Sequence, residues 1–74
     1  MMPLVFGREG EELEIVSIET GKGAASRLQE MGIYPGVKVR VISNSWGPMI
    51  IGIGSSRIAL GRGLASKVVC KTKY

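Results

Sequence analysis

Six glutamates, one cysteine and no histidine or aspartate are all that this 74-residue chain offers toward acid–base or metal chemistry. The carboxylates crowd the N-terminal part: Glu9, Glu11, Glu12, Glu14, Glu19 and Glu30. Glu11, Glu12 and Glu14 read as a solvated strand edge, not as an acid and a base aimed at one substrate. Ser26, Ser55 and Ser66 have no base nearby to activate them. Catalytic residues are therefore not expected. A transition metal asks for imidazole, thiolate or carboxylate groups at a fixed spacing, and no such pair occurs. Glu30 and Cys70 are what remains for a weak surface site, and Cys70 reads instead as a small apolar residue of the last strand. Gly52-Ile53-Gly54 and Gly61-Arg62-Gly63 lack the lysine and the strand–loop–helix setting of a phosphate cradle, so they read as turns or bulges. No cofactor and no metal are expected.

The residues that could recognise a partner are of another kind. From Met31 onward there is no acidic residue, while Lys38, Arg40, Arg57, Arg62, Lys67, Lys71 and Lys73 are basic. An uncompensated basic half points to an anionic partner: an acidic protein face, phospholipid heads or nucleic acid. The alternative is a set of solvated strand faces that keep an apolar domain in solution. Trp46 lies between Ser45 and Gly47 at a loop tip, and tryptophan is enriched in binding hot spots. Two roles are open to it, a partly exposed anchor or a lid folded over the core. Tyr34, beside a turn, is the other aromatic placed for a contact.

Positioning these side chains falls to short elements. Ala24, Leu28 and Met31 stand at i, i+4 and i+7, one face of a helix of about nine residues. Gly23 is its N-cap, and that face is expected to plug one end of a barrel. Gly32 stops the helix as the left-handed residue after the cap, with Ile33 packing back on Leu28. Tyr34-Pro35-Gly36-Val37 then suits a type II turn. Strands are expected over 12–18, 37–43, 49–53, 57–60 and 67–71, with Gly52 marking a bend or bulge and 61–66 a helical turn or loop. Pro3, Met1-Met2 and Thr72 to Tyr74 are expected to fray.

Arg27-Leu28-x-x-Met31-Gly32-Ile33-x-Pro35-Gly36-x-x-Val39-x-Val41 resembles the signature of the FeoA family. Gly47-Pro48 before Met49-Ile50-Ile51, and Ile58-Ala59-Leu60-Gly61-Arg62 followed by Ala65 and Val68, extend the likeness from about Leu4 to Cys70. At Gly61-Arg62-Gly63-Leu64 the chain departs from the family, which more often has a charged, glycine-poor run. The resemblance implies a mainly β fold, a small SH3-like barrel of about five strands with one short α-helix between the first and second. It also implies a small cytoplasmic regulatory protein of ferrous iron uptake. Its partner would be FeoB, the membrane transporter with a GTP-binding domain, contacted by docking that biases the transporter or its GTPase cycle.

Size and composition agree with that picture. Residues 1–74 make one small domain, which buries about 60% of its unfolded surface and needs a dense aliphatic core. Met1 to Phe6 is too short and lacks the basic lead-in of a signal peptide, and the lone thiol suits a reducing cytoplasm. Trp46, Tyr34, Arg40, Arg57 and Arg62 are the expected partner contacts. A competing reading is a basic-faced barrel binding nucleic acid, which would want aromatics interleaved with the cations. Another is a stand-alone interaction module akin to the SH3-like domain of iron-dependent repressors.

Overall fold

A computed structural model describes residues 1–72. Six antiparallel strands form one sheet: β1 (Met2–Pro3), β2 (Glu12–Ile18), β3 (Lys38–Ser43), β4 (Met49–Ile53), β5 (Ser56–Leu60) and β6 (Val68–Thr72). Their spatial order is β1-β6-β2-β3-β4-β5. Alternate residues turn inward, as a period of two requires. Leu13 and Ile15, Val39 and Val41, Met49 and Ile51, Leu60, Val68 and Cys70 make the buried face. Leu4, Leu28, Ile33 and Ala65 close the same core from outside the sheet. No buried side-chain polar atom among the described residues lacks a hydrogen-bond partner.

Two helices join the strands, α1 (Lys22–Glu30) and α2 (Arg62–Ala65). The stop after α1 follows the expected chemistry atom for atom. Gly32 has φ +90°, its N–H donates to the Gln29 carbonyl at 2.9 Å, and the Ile33 N–H donates to the Leu28 carbonyl at 2.8 Å. Those two bonds satisfy carbonyls that a helix end leaves open. Leu28 and Ile33 are both fully buried in the core. The type II turn forms as well: Gly36 has φ +94° and the Val37 N–H donates to the Tyr34 carbonyl at 3.2 Å. This turn is laced to β2, with the Gly36 N–H on the Ile15 carbonyl at 2.8 Å and the Ile15 N–H on the Val37 carbonyl at 2.9 Å.

Several expectations need correction. The sheet has six strands, not five, because Met2 and Pro3 pair with Cys70 and Val69. The N-terminus is therefore not frayed. A single 3-10 turn, Leu4–Phe6, follows and buries Leu4 completely. Thr72 also belongs to a strand, whereas the expected fraying of Lys73 and Tyr74 falls outside the described residues. Helix α1 begins two residues earlier than Gly23 implied, with Gly21 at its N-cap. Of its apolar face Leu28 is buried, Ala24 is half-buried and Met31 is exposed, so the face reaches the core chiefly through Leu28. The bulges sit at Val16, between Ile15 and Ser17, and at Ile42, between Val41 and Ser43. The first of these explains why the apolar alternation of β2 breaks at Val16. Gly52 is no bulge; it pairs in register with Arg40 on one side and Arg57 on the other.

Candidate docking surface

The loop after β3 is held by one side chain. Asn44 donates its Nδ2 hydrogens to the Val5 carbonyl at 3.0 Å and the Gly7 carbonyl at 2.7 Å. Its Oδ1 accepts from Arg62 Nη2 at 2.7 Å, and its backbone N–H donates to Glu9 Oε2 at 3.0 Å. One residue thus binds the 3-10 turn, the loop before β2, and α2. Both amide hydrogens and the carbonyl oxygen are used, three of the four bonds that an asparagine head can make.

This clamp holds the segments that carry two exposed aromatics. Val5 and Gly7 flank Phe6, which is 70% exposed, and two residues beyond Asn44 stands Trp46, 88% exposed. The loop is anchored while the indole is in water. Trp46 is therefore no lid on the core; it is an exposed side chain on a braced support.

Arg62, half-buried, spends one guanidinium nitrogen on Asn44 and is part of the brace. Arg40 and Arg57 are exposed and share one row across the outer face of the sheet, through Glu12–Arg40, Arg40–Gly52 and Gly52–Arg57 pairings. Tyr34, 48% exposed, sits in the turn that leads into β3, whereas Trp46 lies beyond its other end. A six-residue strand spans about 17 Å at about 3.3 Å per residue. The five expected contacts hence fall into three places, with Trp46 and Arg62 at one end of β3, Tyr34 at the other, and Arg40 with Arg57 on the sheet between. No pocket forms beside the helix or elsewhere among the described residues.

Phe6 and Asn44 are the candidate positions that the sequence did not single out. Asn44 follows a strand and precedes a glycine-containing loop, so its turn chemistry was visible, but its partners were not.

The chemistry that was set aside has structural duties. Glu11 Oε1 accepts the Arg8 N–H at 2.9 Å and so caps the loop before β2. Cys70 is fully buried beside Ile15 and Met2, and burial pushes its thiol from an ordinary 9.0 up to about 11. A thiol in that state is a poor nucleophile and a poor ligand at neutral pH. No three carboxylate, thiol or imidazole groups converge among the described residues. No helix is long and apolar enough to cross a membrane.

The chain is thus a mainly β, six-stranded antiparallel SH3-like domain that presents an exposed tryptophan on a braced loop. The family model of the FeoA domain matches residues 2–72. The chain belongs to the FeoA family. It is 51% identical over 69 residues to a candidate Fe(2+) transport protein A of Methanocaldococcus jannaschii, covering 93% of this chain and 84% of that one. Among solved structures, an iron uptake regulatory protein FeoA superposes with TM-score 0.87 at 37% identity, over 95% of this chain and 93% of that chain. FeoA of Stenotrophomonas maltophilia, complexed with zinc and described as a prokaryotic SH3 domain protein, superposes with TM-score 0.84 at 25% identity, over 96% and 91% of the two chains.

Proposed function

We propose that this protein is a non-catalytic accessory of ferrous iron uptake that docks on the cytoplasmic side of a FeoB-like membrane GTPase transporter and biases its cycle. Its contact with the membrane would then be peripheral, through the transporter. The observation that carries the docking surface is Trp46, 88% exposed on a loop that Asn44 ties to three other segments. A rigid aromatic anchor loses little side-chain entropy on binding, because its support is ordered beforehand. The cationic half of the sheet adds steering toward acidic surfaces.

The test is an amide NMR titration of labelled protein with the soluble GTP-binding domain of the cognate transporter, at low and physiological salt. Shifts localised at Trp46, Phe6 or Tyr34 that persist in salt support the reading. An absence of any shift removes the direct contact with that domain. Binding of nucleic acid with a steep loss in salt would favour the basic-barrel alternative instead. That alternative would want several aromatics interleaved with the cations, and Tyr34 and Trp46 stand at opposite ends of β3.

A further inference from the structure

Strand β5 is the last in the sheet order and pairs with β4 alone. Its ladder with β4 runs in register from Ser56 to Leu60 without a shift. No backbone hydrogen bond ties Ser56 to Leu60 to any other described segment. Alternate N–H and C=O groups along its outer edge therefore face no protein partner. Native edges of this kind are usually blunted by a bulge, a proline or a covering element. This one has none of the first two, and only a single charge, Arg57.

The charge around that edge is one-sided. From Lys38 to Leu60, the three adjacent strands β3, β4 and β5 and their loops hold Lys38, Arg40 and Arg57 and no carboxylate. Gly52 brings two of these cations together. A Cβ at Gly52 would lie 2.6 Å from Arg40 Nη2 and 3.1 Å from its Cζ, so the Arg40 guanidinium rests on the glycine. Gly52 is the direct cross-strand neighbour of Arg57. Arg40 thus reaches across one strand to the strand that carries Arg57. No hydrogen bond or ion pair of either guanidinium occurs among the described residues. Glu12 neighbours Arg40 on the β2 side. No carboxylate of the described residues stands between the two guanidinium groups or on the β5 side, and that side is left with a local cationic field that a carboxylate would relieve.

We propose that the open edge of β5 accepts an extended acidic segment of a partner protein as an added strand. Main-chain bonds to β5 supply the affinity, and Arg57 with Arg40 takes the segment's outward-facing carboxylates. The period of two dictates the rest of its pattern. Residues beside Arg57 and Ala59 are acidic, and those between them, facing inward beside Ile58 and Leu60, are apolar. A second copy of this chain fits less well, because its own β5 would bring further arginine to an edge already cationic. The proposal rests on the docking reading above and adds to it a second contact, chosen by backbone and charge.

The probe is an acetylated, amidated peptide of alternating glutamate and valine. Its controls are the lysine–valine counterpart and the same glutamate–valine peptide N-methylated along one edge. Amide shifts and hydrogen exchange of the labelled full chain are followed on titration. The expected result is saturable binding of the acidic peptide with slowed exchange across Ser56–Leu60. Binding should weaken about tenfold in Arg57→Glu, weaken also in Arg40→Glu, and vanish for the N-methylated peptide. Both arginines are exposed, so these variants keep the fold.

Equal binding of the lysine peptide, undiminished binding of the N-methylated one, or shifts that leave β5 unchanged would each overturn the proposal. Concentration-dependent dimerisation of Arg57→Glu without peptide binding would show Arg57 to be only an edge guard, which also overturns it. Titration with the transporter's GTP-binding domain separates the two readings. Shifts at Trp46 with β5 silent sink the edge proposal and leave docking intact. Peptide binding at β5 with no response to the domain does the reverse.

Discussion

Replacing Asn44 by alanine removes the one side chain that joins the 3-10 turn, the β3–β4 loop and α2. Three bonds disappear: two to the carbonyls of Val5 and Gly7, and one from the Arg62 guanidinium. A neutral bond is worth about 1 kcal/mol net and one to a charged group about 1.5–3 kcal/mol. The site is only partly buried, so water replaces some of what is lost, and the expected cost is about 2–4 kcal/mol. A chain of 74 residues has a total stability of about 4–11 kcal/mol. Tm should then fall by roughly 8–32 °C, at about 4–8 °C per kcal/mol for a domain of this size. Urea unfolding should be followed by far-UV circular dichroism, because Trp46 is already 88% exposed and its emission would change little on unfolding. Arg62→Ala should cost about 1 kcal/mol, and the double variant should show coupling, since the two side chains share a bond. Asn44→Asp should be at least as damaging as alanine, because it loses both N–H donors and sets a charged oxygen against two carbonyls. A loss below about 0.5 kcal/mol for Asn44→Ala, with the turn unmoved, would refute the assignment of Asn44 as the brace.

Trp46→Ala should leave stability within about 0.5 kcal/mol yet weaken binding to the transporter's GTP-binding domain by about tenfold or more; calorimetric titration checks it. Leu4→Ala should cost about 2–5 kcal/mol by urea titration, because Leu4 is wholly buried. Gly32→Ala should cost about 1–2 kcal/mol from its φ of +90° alone, since no atom crowds the site. Cys70 should resist iodoacetamide in the native state and react on unfolding, a mass-spectrometric readout. Its thiol is raised from 9.0 to about 11, so the unfolded chain sheds this proton first. The stabilising contribution is complete below about pH 9 and is lost as pH climbs toward 11.

What the sequence revealed and what it hid divide along sequence distance. Gly32, Pro35 and Gly36 act within four residues of themselves, and their cap and turn could be read directly. Strands β2 to β6 are long enough to show alternation, so their bounds were close. Met2–Pro3 is too short for any period, and its partners on β6 lie at the far end of the chain. The exposure of Met31 was hidden because helical spacing fixes a face but not how far along the helix the sheet extends. Asn44 posed the hardest case. Its bonds reach back to Val5, Gly7 and Glu9 and forward to Arg62, and nothing local distinguishes it from an ordinary loop asparagine. Of the expected partner contacts, residue type marked Trp46 and Tyr34, but only the register of β3, β4 and β5 could reveal that Arg40 and Arg57 share a row.

The position of β6 between β1 and β2 also has a consequence in time. A ribosome releases β1 and β2 early and β6 late, yet neither early strand finds its neighbour on that side until β6 emerges. Leu13, Ile15 and Ile18 of β2, all apolar, must wait with one edge unmet. Local pieces such as the helix stop and the β4–β5 hairpin can assemble first, and closure of the sheet is the final, least local step. Stalling synthesis just before Val68 would leave the nascent chain with one edge of β2 uncovered. Holding β2 out of trouble until then would fall to its alternating glutamates, Glu12 and Glu14.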